Sequence, residues 1–376
     1  MGNEFEPLPG SLVFQALKDQ SLIILAANPR INIGVLDGLF QAAKEMNSVI
    51  IFELAKSESD LKGGYTGLTP ENFAKNVKEA AKNADHPWYV LHADHLTIKK
   101  DTPDEIASVK ELIRAQIKVG YTSFAIDASF LFNLEGKNEF EQLQKNIEVT
   151  TEIAHFIKSN MKGKEFGLEV EVGEIGKKDK DGFVFTTVPE AKTFIQELNK
   201  NDVFPHLLAI ANGSTHGNIY DEKGNPIEQI SINIPRTIEI AKAIEPYNVR
   251  IAQHGITGTP IELIEKHFPK GLILKGNVGT HWMNIVWDVL KDKEPNLYKN
   301  LWNWTLETFK PKNPNMPEQQ IFGKNSKYAI KQHFNEIYEI KPETIEAIKE
   351  KAYSEALKFL KAFNTQNSVA ILQKKL

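Results

Sequence analysis

The chain has no cysteine among its 376 residues. That excludes a disulfide framework, a thiolate metal site and a cysteine nucleophile, so any transition-metal site must be built from His, Asp and Glu. It also lacks a long block of charge of one sign, and its formal net charge is only −4. Nucleic acid and anionic membrane surfaces are therefore not expected as partners. No apolar run reaches the length of a membrane span, and the opening MGNEFEPLPG has neither a basic nor an apolar segment. Glu6 stands where a myristoylation signal needs Ser or Thr. Nucleotide loops of the GxGxxG or GxxxxGKS/T type are missing. A cytoplasmic location is the default expectation. What remains is ordinary globular composition, 41% hydrophobic and 25% charged, in a chain long enough for one large domain or two.

Strand-like and helix-like stretches alternate regularly. Apolar runs at 21–28, 48–55, 88–91, 122–129, 166–173, 207–213, 249–255 and 271–279 read as buried strands. Helical spacing follows each of them, at 34–46, 71–83, 104–119, 139–161, 188–199, 235–244, 260–268 and 281–291. Eight such units in about 290 residues predict a closed parallel (β/α)8 TIM barrel rather than an open doubly wound sheet. The pattern changes after Asp292, where 297–309, 326–337 and 342–363 look helical. Residues 1–292 are thus expected to form the barrel. Residues 293–376 are expected to form a helical extension that covers it or makes a dimer contact.

In such a barrel the chemistry collects at the C-terminal ends of the strands. The stretch His92-Ala93-Asp94-His95 closes the third strand, and strand alternation puts His92 and Asp94 on one face with His95 past the end. Of ten histidines, His95, His216 and His254 fall on this rim, which suits a catalytic zinc site with an open position. His86, His155, His206, His267 and His333 read as structural or solvent-facing, and His281 is ambiguous. Gly217, Gly255 and Gly279, with Thr257 and Thr280, lie on the loops after strands 6, 7 and 8. A loop glycine can serve turn geometry alone, yet barrels bind phosphate in this region through backbone N–H groups and hydroxyls. A metal beside a phosphate cradle fits a phosphorylated carbonyl substrate, with Asp94 moving a proton at the neighbouring carbon.

These residues resemble the class II, zinc-dependent ketose-bisphosphate aldolases, most of all fructose-bisphosphate aldolase. The motifs that carry the resemblance are HADH (92–95), FAIDAS (124–129), LEVEVG (168–173), NGSTHG (212–217), QHGITG (253–258) and KGNVGT (275–280), in the family's order. The resemblance implies aldol cleavage of fructose 1,6-bisphosphate to dihydroxyacetone phosphate and glyceraldehyde 3-phosphate, in a homodimer. It implies Zn2+ or another divalent metal on His95, His216 and His254, with a monovalent cation near the phosphate site as an option. Asp94 would be the acid/base. Asp127 and Glu171 would be buried carboxylates that hold a ligand histidine or an alternate metal position. Gly217, Gly255, Thr257 and Thr280 would form the phosphate cradle, Asn277 would bind the dihydroxyacetone half, and Asn28 would set enediolate geometry.

The sequence departs from the family at three places. Its Glu-Asp-Gly loop after strand 5 reads Lys177-Lys178-Asp179-Lys180-Asp181-Gly182 here, leaving Asp179 or Asp181 as the base. Its Asn-Ile/Val-Asp-Thr has become Asn277-Val278-Gly279-Thr280, with a carboxylate lost. The C-terminal arginine that grips the far phosphate has only Lys324 and Lys327 as counterparts. Other substrates therefore stay open, such as tagatose 1,6-bisphosphate or a monophosphate. So does a non-catalytic metal-binding or assembly barrel. A metallohydrolase is disfavoured because the His-x-His after strand 1 is absent.

Overall fold

The structure is a computed structural model that describes residues 5–180 and 182–375, and of Asp179 the backbone only. Asp181, one of the expected bases, lies outside the described residues. Eight parallel strands close a barrel: β1 Ile24–Ala27, β2 Ile50–Ala55, β3 Tyr89–Thr97, β4 Ser123–Asp127, β5 Gly167–Val172, β6 Leu207–Ile210, β7 Arg250–Gln253 and β8 Ile273–Val278. β1 pairs with both β2 and β8, which completes the ring. This is the (β/α)8 architecture that the alternation predicts.

The first helix, α1 Gly10–Leu17, was not expected from its sequence. Its Val13, Phe14 and Leu17 join Ile24, Ile51, Val90, Leu207, Ala252 and Leu274 in a separate buried cluster, so α1 plugs the N-terminal end of the barrel. The outer helices begin with α2 Val35–Glu45, α3 Pro70–Ala84, α4 Pro103–Lys118 and α5 Glu139–Met161. Then follow α6 Val188–Lys200, α7 Ile234–Ile244, α8 Ile261–His267 and α9 Thr280–Lys293. Several starts are fixed by side-chain caps: Thr69, Thr102, Asn138 and Asn233 each accept the N–H three residues on, and Thr187 with Glu190 forms a full capping box.

Beyond α9 come α10 Pro295–Phe309, α11 Glu318–Asn325, α12 Ala329–Gln332, α13 Phe334–Tyr338, α14 Pro342–Ala362 and α15 Ser368–Gln373. The single helix expected over 326–337 is instead a 3-10 turn and two short helices, broken at His333, whose φ of −111° leaves helical geometry. α14 lies along α2, where Gly38 allows close approach: a Cβ there would stand 2.4 Å from the Lys349 carbonyl oxygen. The tail also bonds the barrel directly, through Ile23 N–H to Phe363 O and Val49 N–H to Ser368 Oγ. Among the described residues no helix is long and apolar enough to cross a membrane.

Two irregularities aim the chemistry. β3 does not stop before His95 as expected but runs on to Thr97, and its register against β4 shifts between Ala93 and Leu96. His95 sits there with φ +38°, so the bulge turns the adjacent Asp94 and His95 toward one cleft, which plain alternation forbids. In β8 the register slips at Leu274, which leaves both Leu274 and Lys275 on the inner side.

Candidate active site at the barrel mouth

A cleft of about 590 Å3 opens at the C-terminal ends of the strands. His95, His216 and His254 meet in it: the His95 ring centroid lies 4.4 Å from that of His254 and 5.2 Å from that of His216. Each ring is oriented or exposed in its own way. His95 Nδ1 lies 2.6 Å from Glu171 Oε1 and 3.5 Å from Asp127 Oδ2, which leaves its buried Nε2 without a hydrogen-bond partner among the described residues. Asp127 is itself fixed by the N–H and hydroxyl of Ser129. His254 Nε2 meets Glu169 Oε1 at 2.7 Å, so its Nδ1 is the free nitrogen. His216 stands exposed at the lip.

The charges are strongly coupled. Burial, then the nearby Asp127, pushes Glu171 up to about 8. Burial opposes protonation of His95, yet Glu171 and Asp94 raise its pKa well above the usual value. Burial would likewise raise Asp94, but His95, Lys275 and His254 outweigh it and hold that carboxyl below the usual range.

Beneath the histidines lies an ion lattice that sequence reasoning missed. Lys275 is fully buried, with Nζ 2.8 Å from Glu53 Oε2, 2.7 Å from Glu169 Oε2 and 3.9 Å from Asp94 Oδ1. His92 Nε2 lies 3.4 Å from Glu169, and its Nδ1 meets Ser123 Oγ at 2.7 Å. Burial and then Lys275 hold His92 neutral, down to about 4. Burial and Asp94 raise Glu53 well above the carboxylate range, whereas Lys275 overrides burial and keeps Glu169 well below it. Glu169 thus links the lysine to His254.

Asp94 is gripped from the side. Asn28 donates to its Oδ2 at 3.1 Å, and Asn277 donates to its Oδ1 at 3.4 Å and to Glu53 at 2.6 Å. Asn28 also donates to Glu58 at 3.3 Å. Glu58 in turn receives Arg30 Nε at 2.6 Å and the Tyr65 hydroxyl at 2.9 Å. Arg30, Glu58 and Tyr65 line the cleft and carry no sequence motif that marks them.

Gly217, Gly255, Thr257, Asn277, Gly279 and Thr280 line the same cleft. Thr280 accepts from Arg30 Nη1 at 3.0 Å, and Thr257 from the His281 N–H at 3.3 Å. Lys327 reaches the cleft of its own chain, with Nζ 5.5 Å from the Tyr65 ring centre. Burial and then Arg30 lower its pKa. Lys324 does not line the cleft; it lies over Tyr220 at 5.9 Å. His281 turns away toward Glu355 on α14, at 3.3 Å. Of the loop after β5, Lys178–Asp179 and Gly182–Phe183 pair as a small antiparallel ribbon, while Glu174 lines the cleft.

The donor set fits a divalent ion. Asp94, His95 and His254 offer ligand atoms within 4.8 Å of one another, His216 faces His95, and the buried Nε2 of His95 is orphaned without an ion. Three imidazoles and no thiolate are borderline donors suited to zinc and its neighbours. The carboxylates behind His95 and His254 orient those two rings as metal sites require.

Comparison with known proteins bears on the family and the fold. The family model described as fructose-bisphosphate aldolase class-II matches residues 11–367. The fold is similar to the YdjI aldolase from Escherichia coli K12, with a TM-score of 0.59 at 19% identity over 95% of this chain and 96% of that one. It is also similar to the fructose-bisphosphate aldolase from Campylobacter jejuni, with a TM-score of 0.63 at 17% identity over 96% and 97% of the two chains. At such identities the likeness is one of fold. Among curated proteins, 101 residues are 28% identical to the D-tagatose-1,6-bisphosphate aldolase subunit GatZ of Klebsiella pneumoniae, which spans 25% of this chain and 24% of that relative.

Proposed function

The chain belongs to the class II fructose-bisphosphate aldolase family, and from that premise we propose that it is a zinc-dependent aldolase cleaving fructose 1,6-bisphosphate to dihydroxyacetone phosphate and glyceraldehyde 3-phosphate. One observation carries the reading: His95 faces both His216 and His254, beside Asp94 and next to the glycine-lined loops. His95, His216 and His254 would hold the ion. When bound, it supplies Lewis-acid polarisation of the ketose carbonyl.

The remaining work falls to side chains. Asp94, ionised and held by Asn28 and Asn277, takes the proton from the hydroxyl on the carbon that becomes the aldehyde. The adjoining carbon–carbon bond breaks, and its electron pair passes to the ketone half. A second acid then returns a proton to that half. Candidates are Asp179 or Asp181 on the loop after β5, with Glu174 in the cleft wall as the alternative. Asn277 orients the dihydroxyacetone half, and the glycine loops with Thr257 and Thr280 receive its phosphate. Lys327 offers the cation for a second phosphate, as a point charge without the fork of an arginine. Lys324 would serve only after moving.

The partial likeness to GatZ supports tagatose 1,6-bisphosphate as the second reading. The test is a coupled cleavage assay with fructose 1,6-bisphosphate, tagatose 1,6-bisphosphate and fructose 1-phosphate. The proposal expects the highest kcat/KM on fructose 1,6-bisphosphate. A preference for tagatose 1,6-bisphosphate selects the second reading, and no cleavage of any of the three refutes the aldolase assignment.

A further inference from the structure

The loops expected to hold the substrate phosphate supply only glycines and hydroxyls, although a phosphate monoester is a dianion. The charge comes from elsewhere. Arg30, in the turn after β1, points its guanidinium at these loops: Nη1 donates to Thr280 Oγ1 at 3.0 Å, while Nη2 makes no hydrogen bond to any described residue. Because the Thr280 hydroxyl accepts from Arg30, its own proton is directed away from the guanidinium and is free for a ligand.

Two features of the fold serve that placement. A Cβ added at Gly279 would lie 3.3 Å from Arg30 Nη2 and 3.5 Å from Asn28 Cβ, so a side chain at 279 would crowd the guanidinium and require it to shift. The backbone there has φ −113°, within reach of every residue, so the glycine serves space rather than conformation. The second feature is Glu58. Its carboxylate takes four donors: Arg30 Nε and the Tyr65 hydroxyl on Oε1, the Ala55 N–H and Asn28 Nδ2 on Oε2. A carboxylate so engaged orients the arginine and has little capacity left for substrate. The glycine-rich loop that carries Tyr65 turns through positive φ at Gly63, Gly64 and Gly67, and the tail clamps it through Lys331 N–H to Tyr65 O. A loop, a tail contact and a vacant side-chain position all converge on one guanidinium.

We propose that Arg30 is the charged member of the phosphate site, a guanidinium fixed by Glu58 and admitted by Gly279 that binds the substrate's phosphate monoester together with Thr280 and the glycine loops. The proposal deepens the aldolase reading above and rests on it for the nature of the substrate. It makes Gly279 and Arg30 a matched pair: the bare position at 279 leaves room for the guanidinium beside Thr280.

The test is calorimetric titration of the metal-loaded protein with inorganic phosphate, for the parent, Arg30→Gln, Arg30→Lys and Gly279→Asp. Arg30→Gln should raise the phosphate Kd at least tenfold and flatten its salt dependence, with Arg30→Lys intermediate. Gly279→Asp, which sets a carboxylate against an intact arginine, should weaken phosphate as strongly. It also keeps the proposal testable where Arg30→Gln does not fold. A steady-state arm reads the same variants on the cleaved ketose phosphate, where the loss should appear mainly in KM. A parent that does not bind phosphate, or a Kd within twofold of the parent in both Arg30→Gln and Gly279→Asp, overturns the proposal. Arginine-dependent phosphate binding in a protein that cleaves no ketose phosphate would refute the aldolase reading and leave this site standing.

Discussion

Replacing Lys275 with methionine tests the lattice beneath the site. The ammonium is fully buried, 2.8 Å from Glu53 and 2.7 Å from Glu169. At an effective dielectric of about 20, the contact with Glu169 supplies roughly 6 kcal/mol of attraction before desolvation is subtracted, whereas Glu53, its pKa raised well above the carboxylate range, contributes less. Removing one partner of such a buried pair costs about 3–5 kcal/mol net, because the other charge is left behind. Methionine keeps most of the apolar stem and removes the ammonium with its charge and donors, so that range is expected for the loss in unfolding free energy of the metal-free protein. The pH dependence follows from the same cause. Without Lys275, the Glu169 carboxyl in the folded state should rise above its unfolded value of about 4.3. A carboxyl raised in this way destabilises above the unfolded pKa, so the deficit should be largest near neutral pH and shrink as pH falls toward that value. Adding Glu169→Gln should recover part of the loss, since the carboxylate left unpaired is then gone. Equilibrium urea unfolding at two pH values reads all three quantities. A loss under about 1 kcal/mol that does not change with pH would refute the picture of a lysine neutralising the barrel interior.

Further outcomes are expected. Asp94→Ala should retain metal but lose turnover by about 10²–10⁴-fold, the range for a positioned acid/base, as steady-state cleavage and metal analysis will show. Proton exchange on dihydroxyacetone phosphate, followed by loss of tritium, should fall much more than binding in Asp179→Ala/Asp181→Ala; if it falls only in Glu174→Gln, the acid is in the cleft wall. His206 is largely buried and its Nδ1 accepts the Leu168 N–H, so protonation breaks that bond. Burial holds it at about 4, below its unfolded value. Its contribution is therefore present above the unfolded pKa of about 6.5 and is lost as pH falls toward 4, by roughly 1–2 kcal/mol after allowance for partial exposure. Thermal melts between pH 7.5 and 4.5 should be flatter for His206→Gln than for the parent.

The eight strands were legible because apolar runs of strand length recur between amphipathic helices; seven observed strands lie within their predicted runs, and β3 begins in its run and continues past it. The three rim histidines were legible for the same reason, since a strand end in this architecture is a place in space. Bulges defeated the rest. Alternation predicts that Asp94 and His95 diverge, yet the shift between Ala93 and Leu96 brings both to the cleft. The slip at Leu274 likewise hides Lys275, which reads as an outward residue when Leu274 is counted inward. A charged residue inside ILKGNV and another inside IIFELA were the available signals, but their pairing joins positions 53, 169 and 275 across the barrel. Arg30 and Glu58 sit in turns without a motif, and only the vacancy at Gly279 hinted at them. The helix α1 was missed because eight residues are too short for periodicity to speak. The break at His333 was missed because neither Gly nor Pro marks it.

The central claim is that the three imidazoles hold a metal on which cleavage depends. The most direct measurement is zinc titration of EDTA-stripped protein, following bound metal and ketose-phosphate cleavage together in the parent and in His216→Ala. The exposed ring of His216 makes that variant unlike a core substitution, so its fold should persist by circular dichroism. The account predicts that activity returns in step with about one zinc per parent chain and that the variant recovers neither, as a three-histidine site requires. Cleavage that survives EDTA, or full zinc occupancy in His216→Ala, would contradict it.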